Sequence, residues 1–72
     1  MKIKYDQEAD ILIIILKDEP PQDAIEEPGG IIVSYAQDGK PVSVEFLNAS
    51  LHGIVNKDGI DVFLQTLKSA AL

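Results

Sequence analysis

The sequence predicts an α+β fold, a small antiparallel β-meander of four to five strands with one C-terminal helix packed on one face. Three observations carry this expectation. Short apolar runs bounded by polar or Pro/Gly clusters fill residues 1–50. Asp38-Gly39 stands between two of them as a hairpin signal. Past Asn48 the apolar spacing changes from two to three and four, the period of a helix. A length of 72 residues leaves room for one domain, 1–72, divided into a sheet (1–50), a connection (51–57) and a helix (58–72).

Lys2 to Tyr5 alternates polar and apolar residues, which suits a half-buried edge strand, and Asp6-Gln7-Glu8 turns the chain. Ala9 to Leu16 is a short run of mostly β-branched residues, read as a central strand hidden on both faces, with Leu12, Ile14 and Leu16 pointing one way and Ile11, Ile13 and Ile15 the other. Pro20-Pro21 marks a connection, because proline denies a sheet its backbone donors. Asp23 to Glu27 alternates weakly around Ala24 and Ile25, and Pro28-Gly29-Gly30 turns the chain into the clearer strand Ile31 to Tyr35. After the Asp38-Gly39 turn, Val42, Val44 and Phe46 share one face, with Ser43 and Glu45 on the other. Leu51, Ile54 and Val55 are expected to tuck under the sheet edge. Ile60, Phe63, Leu64, Leu67 and Ala71 then form a helical stripe, with Asp58 as its N-cap and Asp61 at the positive end of the dipole.

One helix covers one face only. The other face is expected to be buried against a second copy of the chain, as a homodimer; the alternative is that connections or sheet curvature bury it within one chain. Six lysines, no arginine and twelve carboxylates give a net charge of −6, and the imbalance lies wholly in residues 1–45. That field repels phosphate backbones and excludes a nucleic-acid role. It keeps the chain soluble and attracts a basic protein partner. The longest apolar run, Ile11 to Leu16, is six residues, far below the ~20 a membrane helix needs. No signal segment opens the chain and there is no cysteine, which fits a cytoplasmic location. Asn48-Ala49-Ser50 matches a glycosylation sequon by chance in that setting.

Tyr5-Asp6-x-Glu8-Ala9-Asp10-x-Leu12, Pro28-Gly29 leading into Ile32-Val33 and Tyr35, then Gly39 and Val42-x-Val44-Glu45-x-Leu47-x-Ala49-Ser50 resemble a small bacterial family known as domain of unknown function 2283. The resemblance covers about the first 50 residues. It implies a short cytosolic protein with a meander sheet, a variable C-terminal part and no established activity; some members are suspected companions of small toxin-like proteins. The chain departs from the pattern at Ile13, where an aromatic residue is common, and at Ile15, where a polar one is usual, and both changes make a face more apolar. Ala36 and Asn48 stand where acids are frequent.

Candidate chemistry is sparse. Asp6, Glu8 and Asp10 have the opening spacing of a calcium loop, but Ile11 replaces the turn glycine and Lys17 the closing glutamate. Asp6 is expected instead to order a tight hairpin, with Glu8 and Asp10 solvated or paired with Lys2 or Lys4. Glu26-Glu27, with Asp23 nearby, forms an acidic strip on exposed chain and is read as a solvated face rather than an acid–base pair. His52 is the lone histidine, near Ser50 but without a nucleophile motif, and Gly29-Gly30 lacks the residues of a phosphate loop. No catalytic residue, metal or cofactor is expected. The positions singled out for interaction are Tyr5, Asp6, Glu8, Asp10, Glu26, Glu27, Tyr35 and Glu45. The leading expectation is a dimeric, non-enzymatic binding module. Two others are an antitoxin-like partner of a basic toxin protein and an enzyme with an interfacial site built from Asp6, Asp10 or Glu45 of two chains.

Overall fold

Five strands build one antiparallel sheet in a computed structural model that describes residues 1–68. They are β1 (Lys2–Asp6), β2 (Ile11–Ile15), β3 (Asp23–Glu27), β4 (Ile31–Tyr35) and β5 (Pro41–Leu47). Their spatial order is β1-β2-β5-β4-β3, so the sheet is not a simple meander. β5 inserts beside β2 because that strand, apolar at every position, has neighbours on both edges only if a later strand returns to it. The connection through Pro20-Pro21 makes this possible. It leaves β2 with the Leu16 and Lys17 amides donating to the Val42 carbonyl, and it enters β3 with the Gln22 amide donating to the Tyr35 carbonyl.

The turns follow their residue chemistry. Asp6 accepts from the Glu8 and Ala9 amides at 3.0 and 3.1 Å, which shapes the β1–β2 turn. Asp38 accepts from the Lys40 amide at 3.0 Å, and Gly39 at φ 83° lets the β4–β5 chain reverse. Between Ser34 and Tyr35 the β4–β5 register shifts, skipping Val42, which is buried in the bulge.

The C-terminal helix expected over 58–72 is not present in its described part: residues 61–68 have no regular structure, and the only helical element among the described residues is a 3-10 turn, Ala49–His52. Ala71, the last member of the stripe, lies outside the described residues. Asp58 is therefore no N-cap. Asn56-Lys57-Asp58-Gly59 instead makes a tight turn between β6 (Val55–Asn56) and β7 (Gly59–Ile60), with the Asp58 amide donating to Asn56 Oδ1 at 2.8 Å and Gly59 at φ 119°. A helix of about 12 residues is marginal without an apolar surface to pack on, and this segment has none, with Phe63 and Leu64 86% and 87% exposed. Leu51 is exposed rather than tucked under the sheet, while Ile54 and Val55 are half-buried.

β2 is correspondingly less covered than a central strand with two roofed faces: Leu12 is buried, but Ile11, Ile13, Ile14 and Ile15 are only half-buried. Besides Leu12 and Val42, the buried apolar residues described are the two small side chains Ala36 and Ala49. Turn geometry therefore weighs heavily in so small a core. Gly30 sits at φ 78° and its added Cβ would meet Leu47 at an ordinary 3.4 Å, whereas a Cβ at Gly39 would meet nothing within 4 Å. Backbone strain, not crowding, is the shared cost. Gly30→Ala and Gly39→Ala are each expected to lose about 1 kcal/mol in urea unfolding.

Candidate functional site

Cross-strand register sorts the side chains into two unequal faces. On one, Ile3, Ile14, Val44, Val33 and Ile25 lie side by side in a row that crosses all five strands. Every member is aliphatic. The row is open to solvent, with Ile14, Val44 and Val33 half-buried and the outer residues Ile3 and Ile25 42% and 47% exposed. The adjacent row on that face, Tyr5, Leu12, Phe46 and Ile31, is better covered and ends at the exposed Glu27 of β3. There the ring of His52 meets Phe46 edge-on at 6.4 Å, bringing the 3-10 turn over this end of the sheet.

The opposite face mixes charge into its rows: Lys4, Ile13, Glu45, Ile32 and Glu26 stand in register. It is partly filled by the connection after β2, which buries Ser34 and lines a hollow of about 260 Å³ with Ile13, Ile15 and Val42. A neighbouring hollow of about 380 Å³ runs past Lys4, Asp6, Ile11 and Glu45.

A polar latch ties the sheet to the chain that follows it. Asp10, at φ 57° in the left-handed region, ends the β1–β2 turn with its carboxylate facing Tyr5 and Ser50. Tyr5 donates its hydroxyl to Asp10 Oδ1 at 2.7 Å, the Ser50 amide donates to the same oxygen at 3.0 Å, and Ser50 Oγ donates to Oδ2 at 2.6 Å. The Ala49 amide donates to the Asp10 carbonyl at 3.0 Å. These bonds favour the ionised carboxylate, first through Ser50 and then through Tyr5, and hold Asp10 below its ordinary value of 3.8. The Tyr5 phenol is pushed above 10.0, chiefly by its bond to Asp10. A cleft of about 510 Å³ opens beside the latch between Tyr5, Ser50 and the β6–β7 turn.

The latch holds the 3-10 turn to the β1–β2 turn, with the Ser50 Oγ proton engaged on Asp10 and the Asp10 carboxylate stabilised in its charged form. Of the positions expected to matter, the latch brings Tyr5 and Asp10 together. Asp6 and Glu8 stay in the turn, Glu26 and Glu27 lie on the exposed edge strand β3, Tyr35 ends β4, and Glu45 stands on the mixed face. Asp10 bonds Tyr5 and Ser50 in place of the expected lysines. The sequence reading missed Ser50 as a partner of Asp10. The available signal was its position at the end of the last family-like motif, forty residues from Asp10.

Among the described residues, fold and site define a small antiparallel β protein whose five-stranded sheet leaves an aliphatic row open on one face. The family described as "Protein of unknown function (DUF2283)" matches residues 2–50, and the chain belongs to it. The matched span opens with β1 and closes on Ser50, the residue that completes the latch. No curated protein and no solved structure matches the chain significantly.

The shifted groups set two limits. Asp10 is depressed in the folded state, so its contribution is complete above about 3.8 and lost as pH falls through the folded value. Tyr5 is raised, so its contribution is complete below 10.0 and lost as pH climbs through the folded value. Asp10→Asn is expected to lower stability at neutral pH and to flatten the acid limb of a stability–pH curve. In a Tyr35→Phe background, ultraviolet titration of Tyr5 is expected to ionise above pH 10.0, and adding Asp10→Asn moves that step down.

Proposed function

We propose that the chain is a non-enzymatic protein-interaction module of the cytoplasm that works as a homodimer joined through its aliphatic face. The observation that carries this reading is the uncovered row Ile3, Ile14, Val44, Val33 and Ile25. The chain exposes 5881 Å², about a third more than the ~4,400 Å² usual for a folded monomer of its mass, an excess to which the irregular residues 61–68 contribute alongside the open sheet face. A small cysteine-free chain without a large core gains stability by association.

Charge argues for face-to-face rather than edge-to-edge pairing. β1 carries Lys2 and Lys4, and β3 carries Asp23, Glu26 and Glu27. Two-fold pairing of either edge with itself sets like charges opposite each other, a common guard against edge association. The aliphatic row itself holds no charge, and the acids on its face, Asp23 and Glu27, flank it only at the β3 edge. Ile25→Asp, on an exposed edge position of that row, is expected to raise the dimer dissociation constant at least about tenfold. Glu26→Gln, on the other face of the same strand, is expected to leave it unchanged; native mass spectrometry over a dilution series reads both. Equal behaviour of the two variants removes the aliphatic face as the interface.

A second reading is favoured by β3, exposed at all five positions and acidic at three. It makes the module a partner of a basic protein, including the antitoxin-like case of neutralising a basic toxin. Association through that edge slows as salt rises and slows again in Asp23→Asn/Glu27→Gln; a rate indifferent to both removes it.

A further inference from the structure

The segment after β7 poses the same physical problem as the aliphatic face. Val62, Phe63, Leu64 and Leu67 are 69%, 86%, 87% and 71% exposed, four large apolar side chains within six positions and none of them covered by the chain that carries them. The sheet face, in turn, is bare of this segment. Among the described residues neither surface covers the other. We infer that residues 61–68 form an arm that lies on the aliphatic sheet face of a second copy, so that each protomer covers its partner's row with its own arm. This inference rests on the homodimer proposed above and names what completes its interface.

Three observations lead to a second copy as the occupant. The first is area. The row Ile3, Ile14, Val44, Val33 and Ile25 is one side chain wide, narrow against the ~800 Å² of accessible surface per partner that a stable specific interface buries. Four exposed apolar side chains on the arm add to the apolar surface such a dimer covers. The second is charge. The chain as a whole is at −6, yet residues 61–68 carry one acid, Asp61, and one base, Lys68, so the arm approaches another acidic copy without repulsion. The third is continuity. The arm leaves from β7, next to the β6–β7 turn that lines the cleft with Tyr5, and Tyr5 stands on the same side of the sheet as Ile3. It starts beside the face that the partner presents. Reciprocal exchange of an identical segment closes under two-fold symmetry and adds no new surface patch to either chain.

The test uses the full chain. Because it has no cysteine, Phe63→Cys provides a single attachment point for a photoreactive benzophenone, and equal amounts of ¹⁵N-labelled and unlabelled chains are mixed before irradiation. Cross-links between labelled and unlabelled chains that map to Ile14, Val33 or Val44 are expected. In parallel, Leu64→Gln/Leu67→Gln is expected to raise the dimer dissociation constant at least about tenfold, with the β-sheet circular dichroism of the parent retained because both positions are exposed. A dimer of unchanged affinity in that variant, or cross-links confined to one chain or to residues off the aliphatic face, overturns the arm while the homodimer stands. A chain that stays monomeric at all concentrations overturns the homodimer and the arm with it.

Discussion

A sheet has two faces, and this chain has little to lay on either. The described residues contain no α-helix, and the longest irregular connection between strands of the sheet, Lys17 to Gln22, fills part of the mixed face only. What remains is a row of five aliphatic side chains, one from each strand, that water wets from above. Burial of such surface is the main favourable term in folding. With Leu12 and Val42 as the only large buried aliphatic side chains described, the chain has a small share of that term to itself. The consequence of the open face is therefore energetic before it is functional, since the surface proposed to recognise a partner is also the surface whose covering would stabilise the fold.

The Tyr5–Asp10–Ser50 latch answers a different need. A single sheet holds its strands by backbone ladders, but nothing in a ladder fixes the segment that follows the last strand. Asp10 does so with both carboxylate oxygens and its own carbonyl, drawing Ala49 and Ser50 back across forty residues to the first turn. That closure places the 3-10 turn with His52 against Phe46, roofing one row and leaving its neighbour open. The polar chemistry of the chain thus sets where the apolar opening falls.

Much of the sheet was legible in the residues. β3 and β4 coincide with the alternation between Pro/Gly clusters, and Asp38-Gly39 marks its turn, because side-chain period and turn chemistry are local properties. Strand order was not legible. The insertion of β5 beside β2 is decided by which edges need partners, a nonlocal matter that hydropathy along the chain does not encode. The helix failed for an instructive reason. Ile60, Phe63, Leu64 and Leu67 do have helical spacing, yet Asp58-Gly59 repeats the hairpin signal of Asp38-Gly39, and the turn prevailed where no surface was available to stabilise a helix. Of the site, Tyr5 and Asp10 could be named in advance, but their meeting with Ser50 depended on the pairing of β2 with β5, which joins residues forty positions apart.

The solution mass of the unmodified chain, followed by sedimentation equilibrium across a wide dilution series, tests the central claim most directly. The account predicts a species of twice 7.8 kDa that dissociates reversibly on dilution and whose dissociation, being driven by apolar contact, changes little with salt. A mass that stays at 7.8 kDa at every concentration, with the sheet intact by circular dichroism, contradicts it.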